Sequence, residues 1–575
     1  MKAASFIAVL SVMASASWAD TYASRIGEAF ADGSIQAGEA ALLYARSVLD
    51  ESALPSWVTD GASAEPCGTA AADAAVMLSG SHPDAACVEA LTLLARPSVG
   101  SPEYLYDSPG GHFKIHWTDN GVNASTLAWV TTIGEGMDHS WEHQVDVMDW
   151  DAPPSDLGLG GDTRYDVYVM ALTGGTIGYC STSGEPSDPT TPEADYASHI
   201  AMSNSESWGE NQILETCSHE FQHAIQDGYE AAEPSWFKEN CATWMQNECW
   251  DTNLYADYLH SGDNCLRRPW YDIRTGSMYY YGATPWPMYM QVRCGGQETV
   301  RMVWEKAAET VGMNMLSAID ETAGYYGMSF TEWLAEYTCW RWFTGGLADD
   351  QHYDVEESSL WTPGPYVFSY HNVSSLPWTG DEGVYAPETF GNHWIRIDVS
   401  GYQGWIDVSF DGLDIADWTV GVIQTASDGS DAFTWHSVTE SPATLDFGVS
   451  TAGWQYVVLF VQPLTDTSMD CIYDITVTYQ TGMGGDPAGS CATLEPSSNP
   501  MAPGGSFEFS IPESGYTTLG VYDLSGRLVE TLVSGMAEAG EHTVSWSADG
   551  LPDGAYFARL NAPGTGLTER LVLSR

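Results

Sequence analysis

Apolar residues recur at steps of three and four near the start of the chain: Ile26, Ala29 and Phe30, then Ala41, Leu42, Tyr44, Ala45, Val48 and Leu49. That spacing lays an apolar stripe along one helix face and predicts a helical N-terminal region over residues 20–98. The period shortens to two at Phe113-Lys114-Ile115-His116-Trp117 and again at Tyr165, Val167, Val169 and Ala171, which predicts strands. Between them residues 123–148 read as a long helix, closed by the breakers Ala152-Pro153-Pro154-Ser155-Asp156. Amphipathic helices follow over 211–226, with Gly228 placed to end the helix, and over 235–247, opened by Pro234. Further helix is predicted over 297–310 and 331–344.

After about residue 385 the helical period stops. Ile395, Ile397 and Val399 alternate, as do Ile406, Val408 and Phe410, and later Ile475, Val477 and Tyr479. Short strands between Gly, Asp and Ser turns predict a β-sandwich over 385–480. The glycine-rich run 481–490 reads as a linker, and 491–575 as a second small β-module. No repeat of 20–50 residues is present. The expected class is α+β: a helical region, an α+β unit over 99–375, then two all-β modules of sandwich type.

Composition and charge narrow the functions. The chain has 575 residues, 78 of them acidic and 19 basic, for a net charge of −59. So negative a surface repels phosphate backbones and anionic headgroups, which disfavours nucleic-acid binding. No apolar run after the N-terminus approaches the ~20 residues of a membrane span. Residues 1–19, with Lys2, an apolar stretch from Phe6 to Met13, and Ser17 and Ala19 before Asp20, read as a cleavable export leader. Export permits disulfides, and Cys67 with Cys87 and Cys249 with Cys265 are reasonable local pairs among eleven cysteines.

The sharpest chemical signal is His219-Glu220-Phe221-Gln222-His223. On a helix, residues four apart share a face, so both imidazoles can reach one ion while Glu220 sits beside its water as general base. Two imidazoles, a carboxylate and one open position suit catalytic zinc. For the third ligand, Asp227, Glu230 and Glu239 are candidates. A second helix packed on the first would turn Glu239 back toward the ion, with Trp236, Phe237 and Trp244 as packing, and Glu239 is preferred. A histidine of metzincin type six residues on is excluded, because Tyr229 stands there.

These residues, with Trp236-Phe237-Lys238-Glu239-Asn240-Cys241-Ala242, resemble the gluzincin metallopeptidases, in which a W-x-x-E-x-x-A helix follows HExxH. The wider stretch, about residues 20–345, is similar to a group of secreted bacterial metalloproteases of myxobacterial type. Its similar pieces include Phe113–Trp117, Pro153–Asp156, Gly160–Tyr168, Tyr280–Ala283 and the helix near Trp304. The resemblance implies a zincin-like domain in which His219, His223 and Glu239 hold Zn²⁺, Glu220 moves the proton, and a downstream tyrosine steadies the oxyanion. Tyr279 and Tyr281 are the candidates for that donor, with a cleft-wall role as the plain alternative. Cys241 departs from the small or apolar residue usual there, and a disulfide from it to Cys217 would join the two ligand helices.

Other features are weaker. The segment Ser198–Ser203 could be the edge strand that pairs with an extended substrate, or an ordinary sheet strand. Cys67 or Cys87 could block zinc through a thiolate in a latent precursor, but a disulfide between them is preferred. Residues 20–98 would then be a propeptide or a packed helical cap. The acidic loops 185–195, 411–417 and 428–431 could bind Ca²⁺, though none has EF-hand spacing and solvated turns read better. The last module, with Ser498-Asn499-Pro500, the 521–529 run, Gly550–Tyr556 and a final Arg570–Arg575, resembles type nine secretion sorting domains and the immunoglobulin-like domain of the flagellar hook-capping protein. It implies contact with secretion machinery and a secreted or cell-surface location. The expected function is thus a secreted zinc endopeptidase acting on protein or peptide substrates. The rivals are a surface adhesion or carbohydrate-binding protein with an inactive zinc domain, and an aminopeptidase. The latter lacks its acidic G-x-M-E-N anchor here.

Overall fold

The computed structural model describes residues 21–575 apart from 82, 188–194, 261–263, 310–312, 350, 362–369, 384, 428, 466–470, 481–492, 512–514, 523–527, 549 and 563–564. The leader reading of 1–19 and the linker reading of 481–490 therefore lie outside the described residues. Helices and several β-sheets make up an α+β chain. Two compact units are present. The first runs to Cys265 and includes Arg274–Met290 and Gln297–Thr322; the second comprises Leu266–Ile273, Gln291–Gly296 and Ala323–Arg575.

In the first unit, α1 (Tyr22–Ala31), α2 (Ala37–Leu49), α3 (Thr69–Ser81) and α4 (Ala85–Leu94) fall in the region of three- and four-residue apolar steps. α1 opens with a capping box in which Thr21 accepts from Ser24 N–H and Ser24 reciprocates. Next come β1 (Tyr104–Asp107), β2 (Phe113–Trp117), α5 (Leu127–Trp141), β3 (Tyr165–Met170), β4 (Gly178–Ser181) and β5 (His199–Ser203). α5 continues as a π-helical turn over Glu142–Val147.

Among the described residues these strands form a five-stranded sheet ordered β1-β2-β3-β5-β4. β2, β3 and β5 run parallel; β1 and β4 are antiparallel edges. Alternation assigns the two faces. Phe113 and Tyr165 point toward α6 (Glu210–Glu230), where their rings meet Phe221 at 5.3 and 6.3 Å. Tyr168, Tyr179 and Ala201 point the other way, into a core shared with Ile26, Tyr44 and other residues of the N-terminal helices. The N-terminal region is thus built onto the sheet by apolar burial.

α6 runs two helical positions past Gly228, which corrects the expected helix end. A Cβ at Gly228 would lie 2.7 Å from Pro154 Cδ, so the glycine serves a close approach and not a cap. α6 packs on α7 (Ser235–Cys249), with the short α8 (Met278–Tyr281) against α7 and α9 (Glu298–Glu309) against α6.

In the second unit, β6 (His393–Asp398), β8 (Trp418–Thr425) and β11 (Tyr456–Pro463) face β7 (Trp405–Gly412), β10 (Thr444–Ser450) and β12 (Tyr473–Gln480) across one core that includes Ile395, Val408, Trp418, Leu459 and Ile475. The C-terminal strands pack a separate core around Trp546. Yet β9 (Asp431–Val438) pairs with β13 (Thr565–Leu573), Trp435 opposite Gly566. One sheet therefore runs through both β-regions.

The disulfide expectations are corrected. Cys67, Cys87, Cys217, Cys241 and Cys249 all carry free, buried thiols, so none of the three expected pairs forms. The reason is where each side chain faces. Cys217 Sγ points to Ile133 O on α5 at 3.7 Å, whereas Cys241 is turned toward Trp304 on α9. Cys249 lies against Gln144, and Cys67 is turned away from α4 toward the histidines.

Candidate metal centre

Four residues bring ligand atoms together in the first unit: Cys67, His219, His223 and Glu239, all within 4.8 Å of one another and all buried. Among the described residues this is the group that could hold a metal ion. α6 supplies both imidazoles one turn apart, and Pro234 starts α7 so that Glu239 meets them from the facing helix. Glu239 Oε2 stands 3.1 Å from His219 Nε2 and 3.5 Å from His223 Nε2.

Neighbours set each orientation. His223 Nδ1 lies 2.9 Å from Gln226 Oε1, and Gln226 Nε2 donates to Lys238 O at 3.1 Å. With Nδ1 as the donor, His223 Nε2 keeps its lone pair for an ion. Burial works against a charge on His223, but the Glu239 carboxylate outweighs it and raises its pKa to about 9. Burial likewise opposes the Glu239 anion, and His223 and His219 overcome it, bringing its pKa to about 2. Both shifts come from the contact of Glu239 with the imidazoles, and an ion bound at His223 Nε2 would take the place of the proton that Glu239 favours there.

The donor set fits a divalent metal. Glu239 is fully buried, and its Oε1 has no hydrogen-bond partner among the described residues. A buried anion of that kind needs a cation. Lys238, the next residue, does not serve: its ammonium is 2.7 Å from Asp73 and 2.9 Å from Asp227.

Asp227, weighed as a third ligand, is thereby engaged elsewhere, and Glu230 Oε1 accepts from Ala232 N–H. Neither joins the cluster. Glu220 is fully buried, and its Oε2 accepts from Thr69 Oγ1 at 2.9 Å. Burial raises its pKa, with His219 and His223 opposing. Tyr281 lies on α8 with its ring 6.1 Å from His219, and its hydroxyl donates to Cys67 O at 3.4 Å. Tyr279, on the same turn, is buried. A cleft beside the cluster is lined by Pro66, Cys67, His219, Glu220, Tyr258 and Tyr281.

Of the two readings of Ser198–Ser203, the structure has the ordinary sheet strand. His199–Ser203 lies between β3 and β4, and the edge is β4, next to Glu220. A Cβ at Gly178 would stand 2.7 Å from Glu220 Cγ. Among the calcium candidates, Glu185 is already bound by Arg96 and His199, and residues 188–194 and 428 lie outside the described residues. The supporting roles of Thr69 and Gln226 were missed. Gln226 sits three residues after His223 on the same helix and carried a readable signal; Thr69 is distant in sequence and carried none.

No protein-family model matches this chain, and no curated protein does. Among solved structures, the apo structure of Bacteroides uniformis beta-glucuronidase 3 is similar over 34% of this chain and 28% of that one, at 14% identity and a TM-score of 0.13. A likeness that slight carries no argument.

Proposed function

We propose that this chain is an exported zinc-dependent endopeptidase of gluzincin type, with a zincin-like first unit, a β-sandwich module and a last, immunoglobulin-like module over 491–575 that engages secretion machinery. The observation that carries the reading is the convergence of His219 and His223 on buried Glu239, with Glu220 alongside. His219, His223 and Glu239 would hold the zinc. When bound, zinc supplies Lewis acidity that lowers the pKa of a water toward about 7 and polarises a carbonyl.

The remaining work falls to this chain's own groups. Glu220 takes a proton at its carboxylate and returns it to the leaving amine. Burial raises its pKa above the ordinary carboxylate value, which makes the carboxylate a stronger base for the proton it must take. β4, an antiparallel edge beside Glu220, offers backbone groups to an extended peptide. Tyr281 is the donor candidate for the developing oxyanion. Retention of Glu220 favours a peptidase over an inert adhesion module, because holding an ion requires no general base.

The test is cleavage of quenched casein by the chain beginning at Asp20, intact and after limited trypsin treatment, beside Glu220→Gln. Activity lower by about 100-fold or more in the variant, at unchanged metal content, is expected from loss of a general base. Equal activity in both proteins, or none in either form, would contradict the proposal and leave a binding protein as the better reading.

A further inference from the structure

Pro66–Thr69 brings the N-terminal region onto the cluster. Ile177 N–H donates to Pro66 O at 2.8 Å, and Gly68 N–H donates to Gly178 O at 2.9 Å. Cys67 lies opposite Gly178 as a parallel bridge. Pro66–Gly68 thus takes the edge groups of β4 that an extended peptide would use. The approach is close at Gly68, where a Cβ would stand 2.7 Å from Val48 Cγ1 and 3.1 Å from Tyr179 Cβ.

Between those two hydrogen bonds Cys67 turns its Sγ into the cluster, 3.5 Å from His223 Nε2. Thr69 N–H donates to the same sulfur at 3.3 Å, and Thr69 Oγ1 donates to Glu220. Tyr281 is held by the Cys67 carbonyl. A buried cysteine by itself is usually a small apolar residue. Here it faces two imidazoles and a fully buried carboxylate whose Oε1 has no partner among the described residues.

We infer that Pro66–Thr69 occupies the substrate cleft as a built-in peptide, and that Cys67 Sγ is the fourth metal ligand of a latent enzyme. The inference rests on the zinc reading above. Three protein ligands leave a catalytic position open, and four close it. When the ligand forms, the S–H bond breaks, its proton passes to solvent, and a sulfur–metal bond replaces it with no change of oxidation state. The same stretch then restrains the base through Thr69 and the oxyanion donor through the Cys67 carbonyl. Activation requires the sulfur to leave, through chain cleavage in the N-terminal region or capture by a mercurial.

The experiment uses the chain from Asp20 loaded with Co²⁺ in place of zinc. The expected result is a thiolate-to-cobalt charge-transfer band in the near ultraviolet that is lost in Cys67→Ser and kept in Cys87→Ser, with visible d–d bands in all three. Cys67→Ser should also cleave casein at least tenfold faster than the parent without trypsin. Should that variant fold poorly, mercuribenzoate added to the parent should abolish the band. Visible bands without the charge-transfer band in the parent, or a band that survives in Cys67→Ser, would overturn the ligand assignment and leave the zinc reading standing. No cobalt bands in any protein would overturn both.

Discussion

At the residue scale, the centre depends on charges held out of water in pairs. Lys238, the residue before Glu239, is buried between Asp73 and Asp227. Lys238→Met leaves two buried carboxylates facing each other and should destabilise the fold by about 3–5 kcal/mol in urea unfolding. Glu215, one turn before His219, is buried with its carboxylate accepting from Leu254 N–H. Burial raises its pKa from 4.5 to about 8. The folded state therefore binds a proton that the unfolded state has released between those values, so stability is present at low pH and falls as pH rises from about 4.5 to 8. Glu215→Gln should flatten that part of the stability–pH profile relative to the parent, and an unchanged slope would show that Glu215 is not the cause. His219, Glu220 and His223 were legible because a one-turn spacing is written locally, and Glu239 because Pro234 marks the start of its helix shortly after His223. Cys67 was read as half of a disulfide with Cys87, since sequence distance favours near partners. Its actual neighbour, His223, is 156 positions away.

At the element scale, what matters is how closely β4 and α6 approach. Gly178 is the contact: a side chain there would collide with Glu220 Cγ. Gly178→Ala should keep its metal and lose activity by about 100-fold, since a shift of about 1 Å in a reacting group can cost that much. Loss of metal together with activity would place the damage in the ligands instead. Periodicity located the N-terminal helices, β2, β3 and both ligand helices, because each has an apolar face repeated over several turns or pleats. It could not identify β4 as an edge, because four residues beginning with glycine carry no pattern that distinguishes edge from centre. Nor could it foresee Gly228 inside α6, since a glycine required by Pro154 looks in sequence like one that ends a helix. The pairing of β9 with β13 joins strands more than a hundred residues apart, and separate local alternations leave such long-range pairing unspecified.

At the scale of the whole molecule, charge dominates. A net charge of −59 places the folded state under self-repulsion, which salt relieves as the Debye length shrinks from about 30 Å at 0.01 M to about 8 Å at 0.15 M. The melting temperature should therefore rise over that range. A flat response would mean that the acidic groups are neutralised by bound cations. The N-terminal helices share one core with the five-stranded sheet through Tyr168, Tyr179 and Ala201, so nicking this region is the gentler route to an open cleft, and excising it would expose that core. The proposed zinc site is tested most directly by anomalous diffraction at the zinc edge from crystals of the chain grown with zinc. A single strong peak among His219 Nε2, His223 Nε2 and the Glu239 carboxylate, absent in Glu239→Ala, is the expected result. A map with no peak there, or with zinc only at other sites, would contradict it.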